Sequence, residues 1–213
     1  MPWLPHTLTI ACGVAVAGLV AAERMQHRSG KVVCKLAAST AFVGLALSLH
    51  ATGSDYGQAV LAALVLSWLG DAFLLSERSA LFLSGLGFFL LGHLAFSAAF
   101  AAGALDLPAG ALGLGLMVIV SVLTLRWLWP HLAGFYRVAV TAYVLAIAAM
   151  CTLAVAHGAA TGAWSIGIGA LLFAASDISV ARDRFVAPGF VNRAWGLPAY
   201  YVAQLLLAWS VAH

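Results

Sequence analysis

The sequence predicts an all-α fold: a polytopic membrane bundle of eight transmembrane helices. Three observations lead there. The chain is 64% apolar and only 8% charged, whereas soluble domains are roughly half apolar and about a quarter charged. Its apolar runs are long enough to cross a hydrocarbon layer, which takes about 20 helical residues. No stretch alternates apolar and polar residues as a half-buried strand would.

Taken in order, the runs fall at about 5–23, 33–50, 59–76, 80–102, 108–128, 133–156, 162–181 and 193–212, each near the roughly 17–25 residues a crossing needs. The segment Met1-Pro2-Trp3-Leu4-Pro5-His6 lacks the basic stretch of a secretory signal, so the first run reads as a retained helix. Turn chemistry separates later runs: Gly53-Ser54-Asp55 before the third, Asp106-Leu107-Pro108 before the fifth, Ala187-Pro188-Gly189 before the eighth. No linker could hold a soluble domain. The reading is one integral membrane domain over residues 1–213.

Topology follows from the basic residues. All ten Lys and Arg side chains fall on the first, third, fifth and seventh connections or their flanks. The positive-inside rule then puts those connections in the cytoplasm and both termini outside, as expected of a bacterial inner-membrane protein. Trp127, Trp129 and Trp195 lie near the inner boundary, and Trp3, Trp164 and Trp209 near the outer one. With a net charge of +3, the basic residues serve topology rather than nucleic acid, and the partner is the lipid bilayer. Cys12, Cys34 and Cys151 are scattered without C-x-x-C spacing and read as small buried hydrophobes.

Two carboxylates interrupt this pattern. Asp71 closes Ser67-Trp68-Leu69-Gly70-Asp71, and Asp177 closes Ala175-Ser176-Asp177, about half a chain later. A central membrane Asp costs roughly 2.5–3.5 kcal/mol on insertion scales, less toward the ends. Both fall near the cytoplasmic end of the third helix of a four-helix half, which suggests parallel repeats over 1–104 and 105–213. Other polar residues gather in the same half of the membrane: Lys35, His93, Arg137, Tyr143, and Tyr200, Tyr201 and Gln204 on one face of the last helix. Each has a plainer reading. The carboxylates could form structural ion pairs with Lys35, Arg78 or Arg137, and His93 could serve only an interhelical hydrogen bond. The tyrosines could be packing residues, and Lys35 and Arg137 could merely snorkel.

The sequence has no H-E-x-x-H, G-x-S-x-G, Walker loop or Asp-rich diphosphate motif. With His93 the only histidine well inside an apolar run, a zinc site is poorly supplied. Neither metal nor cofactor is expected. What remains for chemistry is two carboxylates with hydroxyl, imidazole and amide groups to orient them. A small proton-coupled transporter could use the same groups, although both carboxylates lie near one face rather than at the midplane.

The ordered set formed by Ser67-Trp-Leu-Gly-Asp71, Gly85-Leu-Gly-Phe-Phe-Leu-Leu-Gly-His93, Arg137 with Tyr143, Phe173-Ala-Ala-Ser-Asp177 and Tyr200-Tyr-Val-Ala-Gln204 resembles the YhhN-like lysoplasmalogenases. The resemblance runs from Lys35 to Gln204, with Leu36 standing where the family tends to show proline. It implies hydrolysis of the vinyl ether bond of a lysophospholipid substrate, giving a fatty aldehyde and a glycerophospho-alcohol. Asp71 and Asp177 are then the expected acid–base pair. Desolvation and mutual repulsion would keep one of them protonated, although the sequence does not say which. Ser67, His93, Tyr143, Ser176, Tyr200, Tyr201 and Gln204 are expected to bind or orient. Lys35 or Arg137 would meet the phosphate, with Phe89, Phe96 and Phe173 walling the chain. Oligomeric state is not legible.

Overall fold

A computed structural model describes residues 3–76 and 78–212. Among them run eight helices: α1 (Leu4–Arg24), α2 (Arg28–Ser48), α3 (Asp55–Phe73), α4 (Ser79–Ala101), α5 (Leu107–Leu128), α6 (Phe135–Thr161), α7 (Trp164–Ala181) and α8 (Phe190–Trp209). A π-helical turn, Arg182–Val186, prolongs α7. No strand occurs among the described residues.

Local chemistry sets the boundaries and explains where they differ from the apolar runs. His27 Nδ1 accepts from Gly30 N at 3.0 Å, so α2 starts inside the basic stretch rather than after it. Ser54 Oγ caps α3 from Gly57 N at 3.0 Å, and Asp106 Oδ1 caps α5 from Ala109 N at 2.8 Å. α6 continues to Thr161 and ends at Gly162, whose positive φ of 74° supplies the left-handed cap. That extension encloses His157, which is buried, so His93 is not the sole histidine held well inside a helix.

Seven helices, α1 to α7, are long and apolar enough to cross a bilayer. The 20-residue α8 falls short on apolarity, because Asn192, Arg193, Tyr200, Tyr201 and Gln204 interrupt it. It nevertheless packs extensively along α7 and also meets α1, α2 and α3. Leu112, Leu116, Ile119 and Leu123 share one exposed stripe of α5, a face suited to hydrocarbon rather than water. The chain is an integral membrane protein.

Sequential neighbours pack throughout, except that α4 turns to α6 instead of α5. The α4–α6 contact has a counterpart in α8 against α2 when the two halves are exchanged. The match fails most at one contact. α1 packs on α8, whereas its counterpart α5 makes no comparable contact with α4. A cavity of about 1010 Å³ lies there, with Phe82, Leu86 and Phe89 of α4 and Met117, Val120 and Thr124 of α5 on its wall.

Elsewhere the helices close tightly. A Cβ on Gly70 would lie 2.7 Å from the Phe89 ring, and one on Gly196 would collide with Ser179 Oγ. These small residues let α3 approach α4 and α8 approach α7. One buried cluster, with Phe42, Leu64, Phe96, Met150, Phe173 and Leu207 among its members, draws on all eight helices.

Candidate active site

Three helices build the surroundings of Asp71. It lies near the end of α3 and is 2% exposed. On α2, Lys35 and Ser39 are one turn apart and so share a face. Lys35 Nζ lies 3.2 Å from Asp71 Oδ1, and Ser39 Oγ donates to Oδ2 at 2.6 Å. From α8 the Tyr200 hydroxyl donates to the same Oδ2 at 2.7 Å. Tyr201 supports the group from behind: its hydroxyl is 3.1 Å from Ser39 Oγ and donates to the Lys35 carbonyl at 3.3 Å.

Asp177 has a different set of neighbours. Tyr143 of α6 donates to its Oδ1 at 3.3 Å, and His93 Nε2 of α4 lies 3.2 Å from its Oδ2. The other imidazole nitrogen is 2.6 Å from the Phe89 carbonyl. A carbonyl can only accept, so Nδ1 carries a proton. The imidazole is fully buried. Its ring centroid lies 4.4 Å from that of Phe173 and 5.2 Å from that of Tyr143.

Both carboxylates line the one cavity, as do Lys35, Tyr143, Ser176 and Tyr200. Tyr200 sits within electrostatic reach of both Asp residues, and its ring packs edge-on to Phe173 at 5.4 Å. Other sequence-predicted residues stand back from the space. His93 and Tyr201 sit behind the carboxylates, and Ser67 Oγ donates to the Ala63 carbonyl at 2.9 Å beside Gly92. Gln204 is wholly buried, and neither amide atom has a partner among the described residues. Ser176 Oγ is engaged by the Phe173 carbonyl at 2.7 Å.

Two expectations need correction. Arg137 lies outside the cavity: its Nε donates to the Leu132 carbonyl at 3.0 Å, and its guanidinium sits 4.9 Å from the Trp129 ring centroid. The turn between α5 and α6 holds it there. Phe96 and Phe173 are fully buried packing residues, so of the three expected wall phenylalanines only Phe89 lines the cavity. Val144 and Ile147 of α6 and Met117 and Val120 of α5 form the apolar side instead.

The mouth lies where the first, third and seventh connections meet, and Arg28, Lys31, Arg78, Arg184 and Arg193 reach it. Part of this charge is tied down. Asp183 accepts from Gly189 N at 2.8 Å and Asn192 Nδ2 at 3.1 Å and pairs with Arg193 at 3.1 Å. Glu23 pairs with Arg193 and Lys31, each at 2.9 Å. Arg184 instead lies over the Phe82 ring, 4.3 Å from its centroid.

A family model described as the YhhN family matches residues 30–211, nearly the whole bundle and every group around both carboxylates. The chain belongs to the YhhN family. Among curated relatives, this YhhN chain is 37% identical over 157 residues to the bovine protein named lysoplasmalogenase TMEM86A. It is 35% identical to the human protein of that name, and in both cases the match covers 71% of this chain and 64% of the relative. A Mycobacterium tuberculosis protein named lysoplasmalogenase is 34% identical over 154 residues, covering 68% of this chain and 57% of that one. The YhhN chain thus spans less than two thirds of the length of these relatives. No solved structure matches it.

Sequence reasoning missed Ser39, the closest donor to Asp71, and gave no binding role to Arg78 or Arg184. The YhhN sequence does carry a signal for Ser39. It stands one turn beyond Lys35, so any partner of that lysine on α2's inner face is within its reach.

Proposed function

We propose that this protein hydrolyses the vinyl ether bond of a lysoplasmalogen, releasing a fatty aldehyde and a glycerophospho-alcohol. The observation that carries this reading is the pairing of two carboxylates, buried Asp71 and half-buried Asp177, on one cavity with a cationic mouth and an apolar flank. The names of its curated relatives support it. A single-chain phospholipid matches that layout end for end. Its phosphate meets the arginines, its chain lies along α5 and α6, and the vinyl ether just below the head group reaches the depth of the carboxylates.

The reaction begins with proton transfer to the β-carbon of the vinyl ether, which leaves an oxocarbenium-like cation at the carbon bearing oxygen. A carboxylate near that carbon stabilises the charge, and water adds there as a base takes its proton. The resulting hemiacetal collapses to aldehyde and alcohol. One carboxyl must therefore be an acid and the other an anion, as in enzymes that set two carboxyl groups in unlike surroundings. Tyr200, which lines the cavity with its hydroxyl on Asp71, is placed to orient the water. We assign the carboxylate end of the bundle to the cytoplasmic side, with both termini outside, because every Lys and Arg lies on a connection at that end or on the helix turns that flank it. The bundle reads as one domain, with α1–α4 and α5–α8 as parallel repeats.

Purified protein incubated with a lysoplasmalogen should release aldehyde, while the saturated alkyl-ether analogue should stay intact because it has no double bond at the β-carbon to take up a proton. Aldehyde-free incubation, or cleavage of the saturated ether, would overturn the reading. With Arg137 held elsewhere, phosphate recognition passes to Arg78 and Arg184. Replacing both by glutamine should raise KM about tenfold, the loss of roughly 1.4 kcal/mol of binding, and leave kcat nearly unchanged. Phosphate contacts act alike in ground and transition states. Initial rates in mixed micelles check this, and a fall confined to kcat would refute it.

A further inference from the structure

We propose that the two carboxylates start each turnover in fixed and opposite states: Asp177, with His93 behind it, holds the catalytic proton at neutral pH, and Asp71 is the anion. The inference rests on the vinyl ether reading for its chemical meaning, but the protonation states stand on geometry alone.

Asp71 receives an ammonium at 3.2 Å and two hydroxyl donors at 2.6 and 2.7 Å. All three favour the charged carboxylate, and a proton on Oδ2 would compete with both hydroxyls. Asp177 has no such cation among the described residues. Facing it are His93 from α4, Tyr143 from α6 and Tyr200 from α8, with Cys151 of α6 in electrostatic reach and its thiol turned to the Ala170 carbonyl at 3.4 Å. Nδ1 of His93 is committed as a donor to Phe89. The neutral imidazole therefore offers Nε2 as an acceptor, 3.2 Å from Asp177 Oδ2. Neither atom has another hydrogen-bond partner among the described residues.

A single proton on Asp177, donated from Oδ2 to Nε2, satisfies both atoms at once. The alternative, an imidazolium beside a carboxylate, would desolvate two charges inside a ring of Phe89, Phe173 and Tyr143, where attraction repays that cost only with excellent geometry. In the reaction the Asp177 carboxyl turns from Nε2 to the cavity. It passes its proton to the β-carbon of the vinyl ether as the double-bond electrons form the new C–H bond. The carboxylate left behind keeps the Tyr143 donor. Asp71 meanwhile faces the oxocarbenium carbon and accepts the proton lost by the attacking water. That proton returns to Asp177 through solvent in the cavity. His93 is thus a positioning residue, acting through Asp177 without touching substrate.

Infrared difference spectroscopy of the full-length protein in lipid tests this without any substrate. The chain holds seven Asp and Glu residues in all, so a protonated carboxyl gives a readable carbonyl stretch. At neutral pH the band should be present in wild type and Asp71→Asn and absent in Asp177→Asn. A band that survives in Asp177→Asn, or is missing from wild type, overturns the assignment. Should Asp177→Asn fail to fold, His93→Gln serves instead. Losing the imidazole acceptor should shift the band in frequency, and an unshifted band refutes the pairing. Because no arm measures turnover, a correct band with no aldehyde release would fault the proposed reaction and leave the proton assignment standing.

Discussion

Asp71→Asn and Asp177→Asn should each reduce kcat for vinyl ether hydrolysis by about 10²–10⁴-fold, the range for losing one positioned acid or base. Asparagine keeps the shape of the side chain. At position 177 its amide can still accept from Tyr143 and donate to His93, and at position 71 its carbonyl can still accept from Ser39 and Tyr200. Both variants should therefore insert and remain monodisperse in detergent. KM should change little, because neither group is needed to bind the head or the chain. The double variant should be about as inactive as the worse single one, since groups that act as a unit are not additive. Steady-state aldehyde release measures all three. A single variant with near-normal turnover would make that Asp structural.

Lys35→Met should have the second largest effect, and on stability before activity. Its side chain is 13% exposed and its partner Asp71 is 2% exposed, so removing it strands a buried carboxylate. Breaking a buried pair from one side costs about 3–5 kcal/mol. The stranded Asp71 would escape part of that by taking up a proton, and would then no longer stabilise a cation or accept a proton from water. Unfolding in detergent should show a large loss of stability in Lys35→Met and recovery of most of it in Lys35→Met/Asp71→Asn. Turnover should stay low in both. A variant of normal stability with only weakened substrate affinity would instead mark Lys35 as a head-group contact.

Much of this architecture was legible in the sequence, because hydrocarbon is an exacting solvent. An apolar run of sufficient length has few alternatives to a helix, and Asp71 and Asp177 stood out because membrane interiors admit few charges. The sequence could not say which cation meets which carboxylate. Lys35 and Arg137 looked equivalent as basic residues at helix ends, yet one reaches Asp71 and the other is held by the Leu132 carbonyl and Trp129. That choice depends on how helices rotate about their axes, which glycines such as Gly70 and Gly196 control through close approach. The phenylalanines failed for a related reason. Phe96 and Phe173 share the composition of a lipid-binding wall, but they face inward and pack against one another. In helix α8 the polar residues around the site lower the apolarity that marks the other seven helices as spans.

The unfilled seam between α4 and α5 changes what concentration means for this protein. An enzyme whose cavity opens only to water samples dissolved substrate, in moles per litre. A cavity flanked by two apolar helices that do not pack on each other would draw on molecules already lying in the leaflet beside it, so its supply would be counted per unit area. Dilution of the medium would then leave the rate untouched, while dilution of the bilayer with inert lipid would slow it. In the proposed reaction the products would part on the same terms, the aldehyde staying in the sheet and the phosphoalcohol entering the water.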